Sequence, residues 1–283
     1  MSRRGAVKEP VTEMVNTRRQ SLRIGEEMLL AVIGGTGFYR IGGEAEGERE
    51  TVGTRYGPVE IRRVRMGEAE VAFLSRHGFD HSVPPHRVNY RANIAALREL
   101  GVRNILASAA VGSMSEELPP GSLALVTQFL DFTRGRQSTF FDGEEGKVVH
   151  VDVSEPYCPH LRGELQSAAM TTNEKLHADA TYVCAEGPRF ETPAEIRMFR
   201  QLGGDIVGMT NVPEVVLARE AGICYAAVAI VTNWAAGVSK EPVRHRDVSE
   251  FMDQQTPRVR RLFAQVIAGH TETDCACRAW AKS

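Results

Sequence analysis

The sequence predicts a single α/β domain, and three features carry that prediction. The run "MLLAVIGG" (residues 28–35) is apolar throughout, as a strand covered on both faces must be. Strand-like and helix-like segments then alternate along the chain. No repeat, and no linker rich in Gly, Ser or Pro, divides it.

The elements follow in order. "VEIRRVRMG" and "AEVAFLSRHG" read as a hairpin, and "VPPHRVNYRANIAALRELG" as a helix. That helix opens on prolines, places Ile94, Leu97 and Leu100 on one face, and stops at Gly101. "VRNILASAAVGS" is a buried strand and "GSLALVTQFLDF" another. A later helix has its start written out: Thr192 as N-cap, Pro193 at the first helical position and Glu195 completing a capping box. Ile196, Phe199 and Leu202 form its inner face, and Gly203 ends it. "DIVGMT", a helix over 213–220 and "ICYAAVAIVTN" make one strand-helix-strand unit. The last helix, "VSEFMDQQTPRVRRLFAQVIAG", is amphipathic and is expected to be interrupted at Pro257. Residues 1–28 have no periodicity and are expected to lie outside the fold, frayed or disordered, leaving 29–283 as the domain.

Composition excludes several classes. The 283 residues carry a net charge of -2, so no basic field points to nucleic acid. No apolar run approaches the ~18–20 residues that span a bilayer, and no apolar signal core follows the basic N-terminus. A cytoplasmic protein is expected. The five cysteines (Cys158, Cys184, Cys224, Cys275, Cys277) have no C-x-x-C or paired Cys/His spacing, so no zinc site is expected. Two readings stay open for them: buried thiols with a loose tail, or a tail C-x-C that forms or shuffles a disulfide.

The glycine turn after the first strand decides between ligands. A dinucleotide turn needs G-x-G-x-x-G, but Gly35 and Gly37 are followed by Phe38, Tyr39 and Arg40. An anion needs only exposed backbone N–H groups and a hydroxyl, which Gly34, Gly35, Gly37 and Thr36 supply; a purely structural turn is the alternative. In open α/β sheets ligands sit beyond the carboxyl ends of strands. The residues at those ends are Thr36; Arg76 and His77; Ser108, Ala109 and Ala110; Met209 and Thr210; and Asn233. Together they offer a guanidinium fork, hydroxyls, small residues and an amide. That set suits an inorganic anion beside a polar organic ligand.

The motifs "IGGTG", "SRHG", "VNYRANI", "EGPRFETPAEIRMFR", "DIVGMTNVPEVVLAREAGICYA" and "VTN" resemble the trimeric purine nucleoside phosphorylases, closest to the 5'-methylthioadenosine phosphorylase branch. The resemblance runs from Leu29 to about Ala268. It implies a mixed, twisted sheet flanked by helices, and a pentosyltransferase that cleaves purine nucleosides with phosphate, without metal or cofactor. It assigns phosphate to Thr36, Arg76, His77, Ala109, Ala110 and Thr210, and the ribose to Met209. Where that branch usually has threonine, this chain has Ala109.

Base specificity departs from the branch as well. Its base-site aspartates are replaced here by Asn233 and Ala235, in "TNWAA" with Trp234 between them, and Glu191 stands where serine is usual. Glu191 with Asn233 resembles the 6-oxopurine-specific enzymes. A carboxylate can accept the N1 proton of hypoxanthine or guanine, whereas adenine has only a lone pair there; the alternative for Glu191 is a charge favourable to the helix dipole. The expected reaction is therefore phosphorolysis of inosine or guanosine in purine salvage, with 5'-methylthioinosine or 5'-methylthioadenosine as alternative substrates. By the same resemblance His245 lies near the 5'-hydroxyl, and His150 reaches a neighbouring subunit's site in a homotrimer or dimer of trimers.

Overall fold

The structure is a computed structural model that describes residues 30–35, 47–66, 69–144, 146–240 and 245–282. The expectations for residues 1–28 and for Thr36 lie outside the described residues, as does the side chain of His245.

The architecture is a single mixed α/β domain built on an 11-stranded sheet. Strand β1 (Leu30–Gly34) is wholly buried and runs parallel to β4 (Ala69–Ser75) on one side and β5 (Asn104–Ser113) on the other. Burial on both faces explains why this stretch has no polar alternation. The expected hairpin forms from β3 (Val59–Met66) and β4, with β2 (Glu48–Val52) antiparallel beyond it. Strand β11 (Cys224–Trp234) runs parallel along the whole of β5.

The segment "GSLALVTQFLDF", expected as one strand, is two. Strand β6 (Leu123–Leu125) pairs antiparallel with β11, while β7 (Gln128–Phe132) pairs with β9 (Thr181–Ala185). The handover is visible in two successive backbone bonds: Val126 N–H donates to Ala227 and Thr127 N–H to Ala180. An apolar run cannot reveal that its halves have different partners.

Helices cover both faces. On one, α1 (Tyr90–Glu99) packs with α4 (Asn211–Glu220); on the other, α2 (Pro159–Thr171) packs with α5 (His245–Gly269). The prolines before α1 form a separate 3₁₀ turn over Pro85–Arg87, and the helix itself is capped by the Asn89 side chain, which accepts from Ala92 N–H at 3.1 Å. Helix α5 is not interrupted at Pro257. The proline removes one bond, but Val248 and Met252 before it and Val259, Leu262 and Phe263 after it stay in the same apolar layer.

Helix α3 (Pro193–Gln201) starts on the predicted capping box: Glu195 N–H donates to Thr192 Oγ1 at 3.2 Å, and Thr192 N–H to the Glu195 carboxylate at 2.7 Å. Ile196 and Phe199 are buried as expected, but Leu202 is 55% exposed. Each three-residue step falls about 60° short of a full turn, so Leu202 lies about 120° round from Ile196. Removing the cap with Thr192→Ala is expected to cost about 1 kcal/mol. Urea denaturation should show a lower midpoint with an unchanged slope.

Four of the five cysteines, which show no metal spacing in sequence, come together. The sulfurs of Cys158, Cys224, Cys275 and Cys277 all lie within 4.8 Å of one another, while Cys184 stands apart in β9.

Candidate active site

Strand β5 changes neighbours along its length, and that change makes the site. Its first residues pair with β1 as far as Ala107. Its last, Gly112 and Ser113, pair on the antiparallel strand β10 (Ile206–Gly208). Among the described residues no strand fills the interval Ser108–Val111 between β1 and β10. A cavity of about 340 Å³ opens there, lined by Gly35, Arg76, His77, the stretch 109–112 and the residues just after β10 and β11.

Nine sequence-predicted residues share this cavity: Arg76, His77, Ala109, Ala110, Glu191, Met209, Thr210, Asn233 and Ala235. Trp234 does not line it. Side chains alternate along a strand, so a residue between Asn233 and Ala235 points the other way. His150 is exposed and does not line its own chain's cavity.

Arg76 is held differently from expectation. Its fork is taken by Glu214, with Nε and Nη2 each 2.7 Å from a carboxylate oxygen, and both side chains are fully buried. Burial opposes the charge, but Glu214 more than offsets it, so the guanidinium is raised above its ordinary range and stays protonated. Tyr225 donates from its hydroxyl to the same carboxylate at 2.7 Å. A third N–H, on Nη1, donates to Ser108 O at 3.0 Å. Among the described residues the other two of its five N–H groups have no acceptor, and Arg76 lines the cavity. Gly35 keeps that approach open, since a Cβ there would stand 3.0 Å from Nη1. His77 is oriented by a 2.8 Å contact from Nδ1 to Val83 O, which fixes the proton on that nitrogen.

Asn233 owes its position to a bulge. Val231 pairs with Val111, yet Asn233 pairs with Gly112, so Thr232 is an extra residue in β11. The amide is locked on two sides: Oδ1 is 2.7 Å from Thr232 Oγ1, and Nδ2 donates to Trp234 O at 2.8 Å. The Trp234 carbonyl only accepts, so it fixes which end of the amide is nitrogen. Among the described residues the second N–H of Asn233 has no acceptor, so it is left to donate elsewhere. Gly112 admits this packing, because a Cβ would come within 3.3 Å of Nδ2.

Glu191 lies just before α3. Its Oε1 is buried and, among the described residues, has no hydrogen-bond partner. Burial pushes its carboxyl pKa up. A buried acceptor left unmatched costs stability, so it marks a place where an N–H donor is wanted.

Residues 29–268 match the family model described as the phosphorylase superfamily. The chain belongs to that superfamily. It is 50% identical to a 6-oxopurine nucleoside phosphorylase of Pyrococcus furiosus, over 88% of this chain and 96% of that one. It is also 52% identical to a "Probable S-methyl-5'-thioinosine phosphorylase" of Methanopyrus kandleri, over 84% and 91%. Among solved structures it is similar to methylthioadenosine phosphorylase from Schistosoma mansoni in complex with adenine, with a TM-score of 0.81, 34% identity, and 86% and 92% coverage.

This phosphorylase-superfamily site contains supports that sequence reading missed. Glu214 is one; its signal was a carboxylate among valines in "NVPEVVLA", on a helix face that should be apolar. Arg136 is another. It donates from Nη1 to the carbonyls of Met209 (2.9 Å) and Val212 (2.7 Å), and from Nη2 to Glu186 O (2.8 Å), so it fixes the loop that carries Met209 and Thr210. Tyr182 completes the support by accepting from Thr210 N–H at 3.2 Å. Nothing local in "TRGRQST" singles Arg136 out.

Proposed function

We propose that the chain is a 6-oxopurine nucleoside phosphorylase, acting on inosine and guanosine with phosphate as co-substrate. One observation carries this reading: the unmatched Glu191 Oε1 and the spare N–H of Asn233 line the same cavity. A 6-oxopurine answers both, with a donor at N1 and acceptors at O6 and N7. Adenine would leave the Glu191 carboxylate facing a lone pair.

In this mechanism the bond between C1' and N9 breaks while a phosphate oxygen bonds to C1'. Positive charge builds on the sugar, negative charge on the departing base. Arg76, His77, Thr210 and the backbone around Ala109 and Ala110 hold the phosphate, with Thr36 assigned to the same task. Because Glu214 balances Arg76, the anion is held by directed N–H groups more than by excess charge. Holding phosphate against C1' supplies near-attack geometry, and Asn233 takes up the charge on the base. None of these steps calls for a metal or a cofactor. Met209 is assigned to the ribose, and His150 to a neighbour's site in a cytoplasmic homotrimer.

A second reading, 5'-methylthioinosine phosphorolysis, is favoured by the Methanopyrus relative, whose named substrate carries the same base. His245 is the residue assigned to separate the two. Relative kcat/KM on inosine and 5'-methylthioinosine decides between them.

Glu191→Gln tests the base assignment. Losing a charged partner for N1–H should lower kcat/KM on inosine roughly 10- to 100-fold, on the scale of about 1.5–3 kcal/mol for such a bond. Adenosine turnover should hold or rise, because glutamine can turn its NH₂ toward the adenine N1. Equal losses on both nucleosides would remove Glu191 from base recognition. The pH profile should change too. Protonated Glu191 offers N1–H only a neutral carbonyl, a weaker acceptor than the carboxylate, so wild-type kcat/KM falls on the acid side at a pH above the ordinary glutamate range, and the variant lacks that limb. Stability should move the opposite way. A carboxyl pKa raised by folding penalises the ionised form, so Glu191→Gln is more stable near neutral pH. The gain vanishes below the ordinary glutamate pKa.

A further inference from the structure

We propose that Cys158, Cys224, Cys275 and Cys277 form a tetrathiolate site for zinc that fastens the C-terminal tail to the domain. The four residues come from separate places: Cys158 is the N-cap of α2, Cys224 opens β11, and Cys275 and Cys277 belong to the tail beyond α5. Three of them are buried and Cys275 is half-buried, which gives the cluster an edge for metal entry.

The spacing suits a metal. With Zn–S bonds of about 2.3 Å, sulfurs at the corners of a tetrahedron lie about 3.8 Å apart. Cys158 Sγ and Cys275 Sγ are 3.7 Å apart, and every pair in the set is within 4.8 Å. Soft thiolates select zinc over hard cations such as magnesium or calcium. Binding releases the four thiol protons and leaves a net charge of -2 on the metal and its ligands. Cys158 stands at the positive, N-terminal end of the α2 dipole, which favours a thiolate there.

The consequence is mechanical. A C-x-C pair bound to one ion with Cys158 and Cys224 ties the tail to the N-terminal end of α2 and the first residue of β11. The phosphorylase cavity lies at the opposite end of β11, so the metal acts on stability and not on the reacting atoms.

The test uses the full chain, purified under reducing conditions without chelator. Elemental analysis is expected to give one zinc per chain. A mercurial reagent should release that zinc as it titrates the thiols. After zinc removal, cobalt(II) should give thiolate-to-cobalt charge-transfer bands with the d–d bands of a tetrahedral ion. Cys275→Ser and Cys277→Ser should each weaken metal binding at least tenfold, whereas Cys184→Ser should leave it unchanged. Metal-free protein with an intact mass lower by two or four hydrogens would mean disulfides and overturn the proposal. So would metal-free protein with all of these thiols free, or zinc content indifferent to the Cys275 and Cys277 changes.

Discussion

Glu214→Ala will cost this protein about 3–5 kcal/mol of stability, the range for breaking a buried pair by removing one partner. Arg76 and Glu214 share two 2.7 Å bonds with no solvent contact, so deleting the carboxylate strands a guanidinium charge in the interior. Tyr225 loses its 2.7 Å bond to the carboxylate in the same step and keeps only Asn211 Oδ1, 2.9 Å away, as acceptor. Chemical denaturation should show this as a much lower midpoint. Glu214→Gln keeps the shape and retains more of the stability. It no longer holds the Arg76 fork in one orientation, so its KM for phosphate should rise at least tenfold while KM for the nucleoside changes less. A phosphate KM equal to wild type would show that the pair is structural only.

Asn233→Ala should lower kcat about 10²–10³-fold, the scale for losing one donor to charge that develops in the transition state. The amide is held by Thr232 and Trp234 before any ligand arrives, so it pays no reorganisation during the reaction. The bulge at Thr232 is set by backbone pairing and should survive the change. Steady-state kinetics on inosine should therefore show a fall in kcat with little change in the phosphate KM. A fall confined to KM would make Asn233 a ground-state contact instead.

Sequence carried much of this, because some features are local. The burial of β1 on both faces is a property of five consecutive residues, and the Thr192–Glu195 capping box lies within four. The strand-end residues follow from a rule of sheet topology, and seven of them share one cavity; Glu191 and Ala235, which join them there, follow only from the family resemblance. What could not be read depends on who neighbours whom. Strand β5 exchanging β1 for β10 leaves no trace in "NILASAAVGS", yet it opens the cavity. Arg76 looked like a free fork until Glu214, 138 positions away, took it. The cysteine cluster is hidden for the same reason, since metal spacing rules read short intervals and Cys158 meets Cys275 across 117. Leu202 failed through arithmetic: a three-residue period drifts round a helix.

The most direct measurement is release of base from inosine and from adenosine, with and without phosphate, following ribose 1-phosphate in parallel. Hypoxanthine release that requires phosphate, yields one ribose 1-phosphate per base and far exceeds adenine release is the predicted result. Base release at full rate without phosphate, or a preference for adenosine, would contradict it.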